Sequence, residues 1–211
     1  MKKGILLSVL ICGSGWVAAR EIPKPLGFYG KPFLGVLASQ LDGDQASGYS
    51  KFGYHLGLVT GYRMNDDGFS GIEMQMSVAE RGSRRAFDPI MFVNAFHIRC
   101  RQVELQVNGV YQTEVPMLGS IELLGGLRVA KLLEVVETEG TNPGIAQDFS
   151  KGNLMLEFGV TKSVGDRVDL RITWDYSLLS AVKQDFRNVF YPTGVYHNGV
   201  GVSALFDLTT K

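Results

Sequence analysis

Val103-Glu104-Leu105-Gln106-Val107-Asn108-Gly109-Val110-Tyr111 alternates between apolar and strongly polar side chains. Successive side chains of a β-strand point to opposite faces, so Val103, Leu105 and Val107 share one surface while Glu104 and Gln106 share the other. The alternation recurs on both sides of this stretch. It predicts eight strands, at residues 28–41, 52–64, 69–81, 97–111, 120–133, 153–164, 168–176 and 195–208.

The predicted connections alternate in length. They are short after the second, fourth and sixth strands, at residues 65–68, 113–119 and 165–166, and long and polar elsewhere, as at 134–152 and 180–194. This asymmetry is typical of outer-membrane barrels, with short periplasmic turns and long outer loops. An even number of strands closes such a sheet without an unpaired edge in lipid. The sequence therefore predicts an all-β fold, a closed eight-stranded antiparallel up-and-down transmembrane β-barrel.

The orientation of the two faces separates this prediction from a soluble ligand carrier. A soluble eight-stranded carrier has an apolar interior, but eight strands enclose room only for side chains or one small ligand. Large apolar side chains recur on seven of the predicted strands, which is more bulk than such a lumen holds. We therefore expect the apolar face to contact lipid. Trp174, Tyr176 and Tyr54 would then contribute to an aromatic belt, with ordinary packing as the alternative.

The first 19 residues have the features of a signal peptide. Lys2 and Lys3 precede an apolar stretch that is short for a spanning helix, and Val17-Ala18-Ala19 offers small residues for cleavage. A membrane anchor is the alternative. The barrel domain would then comprise residues 20–211, and the protein would reside in the outer membrane. Cleavage would leave a single cysteine, Cys100, and hence no internal disulfide.

The formal charges balance, with 21 basic and 21 acidic residues, and nothing in their distribution indicates a nucleic-acid partner. On the predicted strands, charged residues share the polar face, which would be the lumen. Ionised groups in a narrow interior need partners, because isolated ones are costly to desolvate. We expect a charge network that closes the pore, with His55 and His197 as further partners. It comprises Arg63, Glu73, Glu104, Glu122, Arg128, Glu157, Asp169, Arg171 and Asp175.

A second group of basic residues lies near the outer ends of the third and fourth predicted strands. We expect this rim to face the anionic head groups of lipopolysaccharide, with a merely solvated rim as the alternative. The group comprises Arg81, Arg84, Arg85, His97, Arg99 and Arg101.

Catalysis and metal binding are the sharper alternatives. His55 with Glu73, and His197 with Asp175, come from neighbouring strands, as in a lipid-modifying barrel enzyme, but no recognisable nucleophile motif accompanies them. The loop 42–44 carries two acids that could bind a cation, although such loops are usually just solvated. We therefore expect no enzymatic activity, no cofactor and no metal.

The stretches Gly35-Val36-Leu37-Ala38-Ser39-Gln40-Leu41-Asp42-Gly43-Asp44 and Ser47-Gly48-Tyr49-Ser50-Lys51-Phe52-Gly53-Tyr54-His55-Leu56-Gly57 resemble the first hairpin of the PorT-like outer-membrane β-barrel family. The strand from Cys100 to Tyr111 and the pair Gly125-Gly126 follow in the order that this family uses. The resemblance implies a small barrel inserted by the outer-membrane assembly machinery. A role in protein secretion would be fold-level analogy. We expect a structural or surface-interaction role, with protein partners at the long loops, and keep secretion or transport as the alternative.

Overall fold

The computed structural model describes residues 26–43, 48–64, 68–85, 95–116, 118–138, 148–183 and 194–208. The predicted signal peptide at residues 1–19 and Asp44 of the candidate cation loop lie outside the described residues. Those residues include no helix that could span a bilayer.

Eight antiparallel strands form one closed barrel, which confirms the predicted fold class. They are β1 (Gly27–Asp42), β2 (Lys51–Arg63), β3 (Gly68–Arg85), β4 (Phe96–Val115), β5 (Gly119–Thr138), β6 (Gly152–Ser163), β7 (Val168–Ser177) and β8 (Tyr196–Phe206). Each strand pairs with the next along the chain, and β8 pairs with β1 to close the sheet. The barrel therefore has no unpaired sheet edge along its closed wall.

Strand length divides the barrel into a common belt and a taller side. β7 has 10 residues, which span about 33 Å at ~3.3 Å per residue and about 25 Å after a tilt of roughly 40°. That height matches the apolar band of an outer-membrane barrel. β3, β4 and β5 have 18, 20 and 20 residues, so they extend well beyond this height. Their extensions lie at the end of the barrel that carries the long connections.

The outward face is apolar around the whole circumference. Alternate residues of each strand point away from the lumen, and large apolar side chains at these positions remain exposed. Examples from β1 to β8 are Leu34, Val36, Leu56, Leu58, Met74, Met76, Leu105, Val107, Leu127, Val129, Phe158, Val160, Ile172, Trp174 and Val202.

The interior is polar along most of its length, with two apolar clusters. Phe33, Val59 and Leu205 form the smaller cluster, with Tyr29 packed against it. The larger one lies at the long-loop end and includes side chains from β1, β4 and the connecting segments. It comprises Leu41, Ile98, Cys100, Phe149, Ala181, Val182 and Val195.

We call this larger cluster the apolar cap. Two connecting segments form its upper part. Phe149 and Val182 form an isolated antiparallel bridge. Backbone hydrogen bonds hold the bridge in place: Ser150 N–H donates to Ala181 O at 2.7 Å, and Ala181 N–H donates to Val195 O at 2.7 Å. The segments that connect β5 to β6 and β7 to β8 are therefore fastened together over the long-loop end of the lumen.

Candidate functional site

The middle of the lumen contains a network of fully buried charges. Arg81 Nε donates to Glu104 Oε1 at 2.8 Å, and Arg81 Nη1 donates to Asp175 Oδ1 at 2.6 Å. Arg128 Nη1 lies 3.3 Å from Glu104 Oε2 and 3.2 Å from Asp175 Oδ2, and Arg128 also pairs with Glu157. Each arginine therefore bridges carboxylates of different strands. We call these five residues the central network.

Amides and an imidazole supply further partners to the central network. Gln106 Oε1 accepts from Arg128 Nε at 3.0 Å and from Arg128 Nη2 at 2.9 Å, while Gln106 Nε2 donates to Glu157. His55 Nε2 lies 3.5 Å from Glu104 Oε2. These contacts matter because a buried charge is stable only when its hydrogen-bonding groups are satisfied.

Further ion pairs continue the network toward the short-turn end. Arg171 Nη2 donates to Glu73 Oε2 at 2.7 Å, and Tyr29 Oη donates to Glu73 Oε1 at 2.6 Å. Lys31 Nζ donates to Asp169 Oδ2 at 2.6 Å. Arg63 pairs with Glu122 nearby, and the Arg63 and Lys31 cations lie 5.2 and 5.5 Å from the Tyr29 ring centroid. Oppositely charged pairs thus follow one another along the barrel axis, from the middle of the lumen to the short-turn end.

The structure brings together all nine residues of the predicted lumen network in the interior, each of them buried. It adds two cations that the sequence reasoning left out, Lys31 and Arg81. Lys31 lies on β1, whose alternation is the weakest of the set. The tyrosine Tyr29, which the prediction also omitted, joins them through its hydroxyl group.

The placement of Arg81 in the lipopolysaccharide-facing rim was wrong. Arg81 is completely buried and belongs to the central network. The physical reason is strand parity, since Arg81 follows Glu73, Gln75, Ser77 and Ala79 at two-residue spacing on the inward face of β3. The two-residue spacing in the sequence of β3 already indicated that Arg81 faces inward.

The remaining rim residues lie on the extensions of β3 and β4. Arg84 is exposed, and Arg99 and Arg101 are partly exposed on the outward face, opposite Gly82 and Glu80 of β3. Arg101 Nη1 donates to Glu134 Oε2 at 2.9 Å, and Arg101 Nε lies 3.7 Å from Glu80 Oε2. Arg85 is half-buried and has interactions within the chain.

His97 completes this rim, opposite Arg84 on β3. Burial lowers the pKa of its imidazole, and the nearby Lys51, Arg84 and Arg99 cations lower it further, against the opposing effect of Glu80. His97 is therefore neutral over a wider pH range than an ordinary histidine, and the positive charge of the rim comes from its arginines.

The two candidate catalytic pairs are not assembled. The β2–β3 register places His55 opposite Ala79 and Glu73 opposite Gly61. His55 Nε2 instead lies 3.1 Å from Ser77 Oγ and 3.5 Å from Glu104. A catalytic triad needs the serine and the carboxylate on different ring nitrogens, whereas here a single nitrogen contacts both.

The second pair, His197 and Asp175, also differs from the arrangement a catalytic dyad requires. Asp175 lies opposite Gly199 and serves Arg81, while His197 Nε2 lies 3.2 Å from Gln102 Nε2. Among the described residues, no group of three or more histidine, cysteine or acidic side chains is arranged to hold a metal ion.

Comparison with solved structures finds small outer-membrane barrels. The attachment invasion locus protein Ail of Yersinia pestis is 15% identical, with a TM-score of 0.47, and the alignment covers 86% of this chain and 99% of that one. Neisserial surface protein A is 14% identical, with a TM-score of 0.43 and coverage of 86% and 97%. OprG of Pseudomonas aeruginosa is 13% identical, with a TM-score of 0.36 and coverage of 86% and 94%. At such identities the likeness extends to the fold alone.

No protein-family model and no curated protein matches the chain. The resemblance to the PorT-like family therefore stays a prediction.

Proposed function

We propose that this chain is an outer-membrane barrel with a closed lumen, which acts at the outer surface rather than as a pore or an enzyme. The observation that carries the proposal is the combination of an exposed apolar belt on all eight strands with an interior of buried, paired charges. In water, an apolar surface of this extent would favour aggregation. In a bilayer, the same surface contacts hydrocarbon, and the charges are removed from lipid.

Closure of the lumen follows from how its cross-section is filled. Arg81 and Arg128 reach across the tube to carboxylates of β4, β6 and β7. A solute on its way through would have to separate these pairs, and breaking a buried pair leaves an uncompensated charge, at a cost of about 3–5 kcal/mol. The apolar cap adds a second barrier at the long-loop end.

Surface contact would then use the outer rim and the long connections. Arg84, Arg99 and Arg101 lie on the β3–β4 extension beyond the apolar belt. In a bilayer, this position would bring them to the height of the lipid head groups. We propose that this rim contacts phosphate groups of lipopolysaccharide. Replacing the three arginines by glutamine should weaken binding of lipopolysaccharide in a salt-dependent manner. Lys162→Gln, at the short-turn end, should not.

Conductance across a planar bilayer tests the main proposal. The refolded chain should migrate at different positions on a gel before and after boiling, as a folded barrel does. It should add no steady ionic current to the bilayer. An open porin inserted in the same way provides the positive control. A steady current, or recovery of the folded chain from the soluble fraction of cells, would overturn the proposal.

A further inference from the structure

Four aromatic side chains on the outer wall form a continuous stack, which we call the aromatic ladder. Phe158 stacks with Trp174 at 6.2 Å between ring centroids, Trp174 with Tyr176 at 6.2 Å, and Tyr176 with Tyr196 at 6.0 Å. The interplanar angles are 9°, 25° and 12°. The planes of neighbouring rings are therefore nearly parallel along a strip that crosses β6, β7 and β8, and Phe158 and Trp174 in this strip are exposed.

The ladder runs from the apolar belt to a polar surface. Phe158 lies opposite Trp174 and next to the belt residue Val160, whereas Tyr196 lies opposite Asp42 at the start of a long connection. Tyr176 lies opposite Asn198 of β8, and Trp174 lies opposite Val200. The strip thus begins among hydrocarbon-facing residues and ends above them.

A cluster of fixed polar groups borders the upper part of the ladder. Trp174 Nε1 donates to Asn198 Oδ1 at 3.1 Å, and Tyr49 Oη donates to the same oxygen at 2.8 Å. Asn198 Nδ2 in turn donates to Asp42 Oδ2 at 3.0 Å, and Gln40 Nε2 donates to Asp42 Oδ1. Amide, phenol and carboxylate groups are therefore held in place beside the ladder, next to the indole N–H of Trp174.

This chemistry fits sugar rings. The face of a pyranose presents polarised C–H groups, which are attracted to the negative face of an aromatic ring, and its hydroxyl groups both donate and accept hydrogen bonds. The ladder supplies the ring faces, and the cluster around Asn198 supplies donors and acceptors. The arginines of the outer rim lie on β3 and β4, away from β6–β8, so phosphate recognition and sugar recognition would occupy different sides of the barrel.

We propose that the aromatic ladder binds the sugar rings of a glycolipid in the surrounding outer leaflet, with its acyl chains against the belt below Phe158. A membrane-borne sugar fits better than a free one, because the strip is continuous with the hydrocarbon-facing surface. This inference depends on the proposed membrane location, since only a barrel in a bilayer meets a glycolipid at this height.

Trp174 provides the readout. The chain has two tryptophans, Trp16 and Trp174, so a Trp16→Phe background leaves Trp174 as the single emitter. This protein is reconstituted in phosphatidylcholine vesicles, alone or with added lipopolysaccharide or phosphatidylglycerol. A fourth sample receives the delipidated oligosaccharide of the same lipopolysaccharide. We expect a change in Trp174 emission with lipopolysaccharide only, because phosphatidylglycerol supplies charge without sugar and the free oligosaccharide has no acyl chain to hold it at the strip.

Tyr176→Leu and Tyr196→Leu keep apolar volume but remove the ring faces, and each should reduce the emission response at least several-fold. Tyr62→Leu, an exposed aromatic at the short-turn end, is the matched control and should respond fully. Heat-dependent gel migration confirms folding of every variant and tests membrane insertion separately. An equal response to phosphatidylglycerol, a response to the free oligosaccharide, or full responses from both ladder variants would show an interfacial anchor only and overturn the inference.

Discussion

Arginine side chains in the lumen each satisfy several acceptors at once, so single substitutions there should have large effects. Arg128 contacts Glu104, Glu157, Asp175 and Gln106. Arg128→Met removes a cation from among three carboxylates. We expect a loss of about 3–5 kcal/mol in the free energy of unfolding, as for other broken buried pairs.

Urea titration of the vesicle-bound chain, followed by heat-dependent gel migration, measures this loss. Arg101→Met is the matched control, since its pair with Glu134 is exposed and should be worth no more than about 1 kcal/mol. Equal losses from the two variants would contradict the role assigned to the central network.

His97 gives a prediction for pH dependence in the β4 extension. Burial and the cations around it lower the pKa of its imidazole below the ordinary value of about 6.5. When a base has a lower pKa in the folded state than in the unfolded state, the free energy of unfolding is highest at pH values above the unfolded pKa. It decreases as the pH falls through the folded pKa. NMR titration of His97 should give a midpoint below 6.5, and Arg84→Gln should raise it. A midpoint above 6.5 would contradict the described packing.

Single residues also show where sequence reasoning worked and where it did not. Glu104 and Arg171 were placed correctly because their strands alternate without interruption. Arg81 was misplaced although the same rule applied, because it was grouped with the basic residues that follow it in a rim facing lipopolysaccharide. Lys31 was missed because the inward face of β1 also carries Phe33 and Leu37, which hides the polar pattern.

At the scale of strands, the close approach of β4 and β5 requires a glycine on the inward face of β5. A Cβ on Gly126 of β5 would lie 2.0 Å from Val107 O and 2.3 Å from Asn108 Oδ1. Since backbone cannot yield by that much within a closed sheet, Gly126→Ala should sharply reduce the yield of folded barrel. Gly165→Ala, in a turn where a Cβ would meet nothing within 4 Å, is the control. Normal folding of Gly126→Ala, judged by gel migration, would argue against the β4–β5 register.

The apolar cap should protect Cys100, which is completely buried within it. In a Cys12→Ser background, we expect Cys100 to resist a maleimide reagent in the folded chain. Phe149→Ala removes a buried ring from the cluster that surrounds Cys100 and should make Cys100 reactive. Phe52→Ala, on the outward face, should leave it protected. Rapid labelling of the unaltered chain would show that the cap is not closed.

The strands and their connections differ in how much the sequence predicts. A period of two fixes which face each strand side chain takes, so the bounds of most strands agree with the structure to within a few residues. β3 and β5 extend further than predicted, to Arg85 and Thr138, because pairing with β4 supports residues whose own alternation is weak. The cap depends on contacts between residues far apart in sequence, such as Phe149 and Val182, which no local pattern reveals.

The whole molecule has a layered interior and an uneven outer rim. Charge pairs occupy the short-turn end and the middle of the lumen, and the apolar cap lies at the long-loop end. On the outside, cations on β3 and β4 and the aromatic ladder on β6–β8 lie on different sides of the same belt. The two sides of such a barrel would therefore contact different chemical groups of the surrounding lipids.

All of this depends on the outward face contacting lipid, and adjacent residues of β7 test that most directly. Ile172 is exposed on the outside, whereas Thr173 is buried in the lumen. Each is changed to cysteine in a background lacking Cys12 and Cys100, labelled with a fluorophore before refolding, and exposed to lipid-borne and water-soluble quenchers in vesicles. We predict that lipid-borne quenchers reach the label at Ile172 and do not reach the label at Thr173. Quenching of the Ile172 label by the aqueous reagent, with lipid-borne quenching at Thr173, would contradict the account.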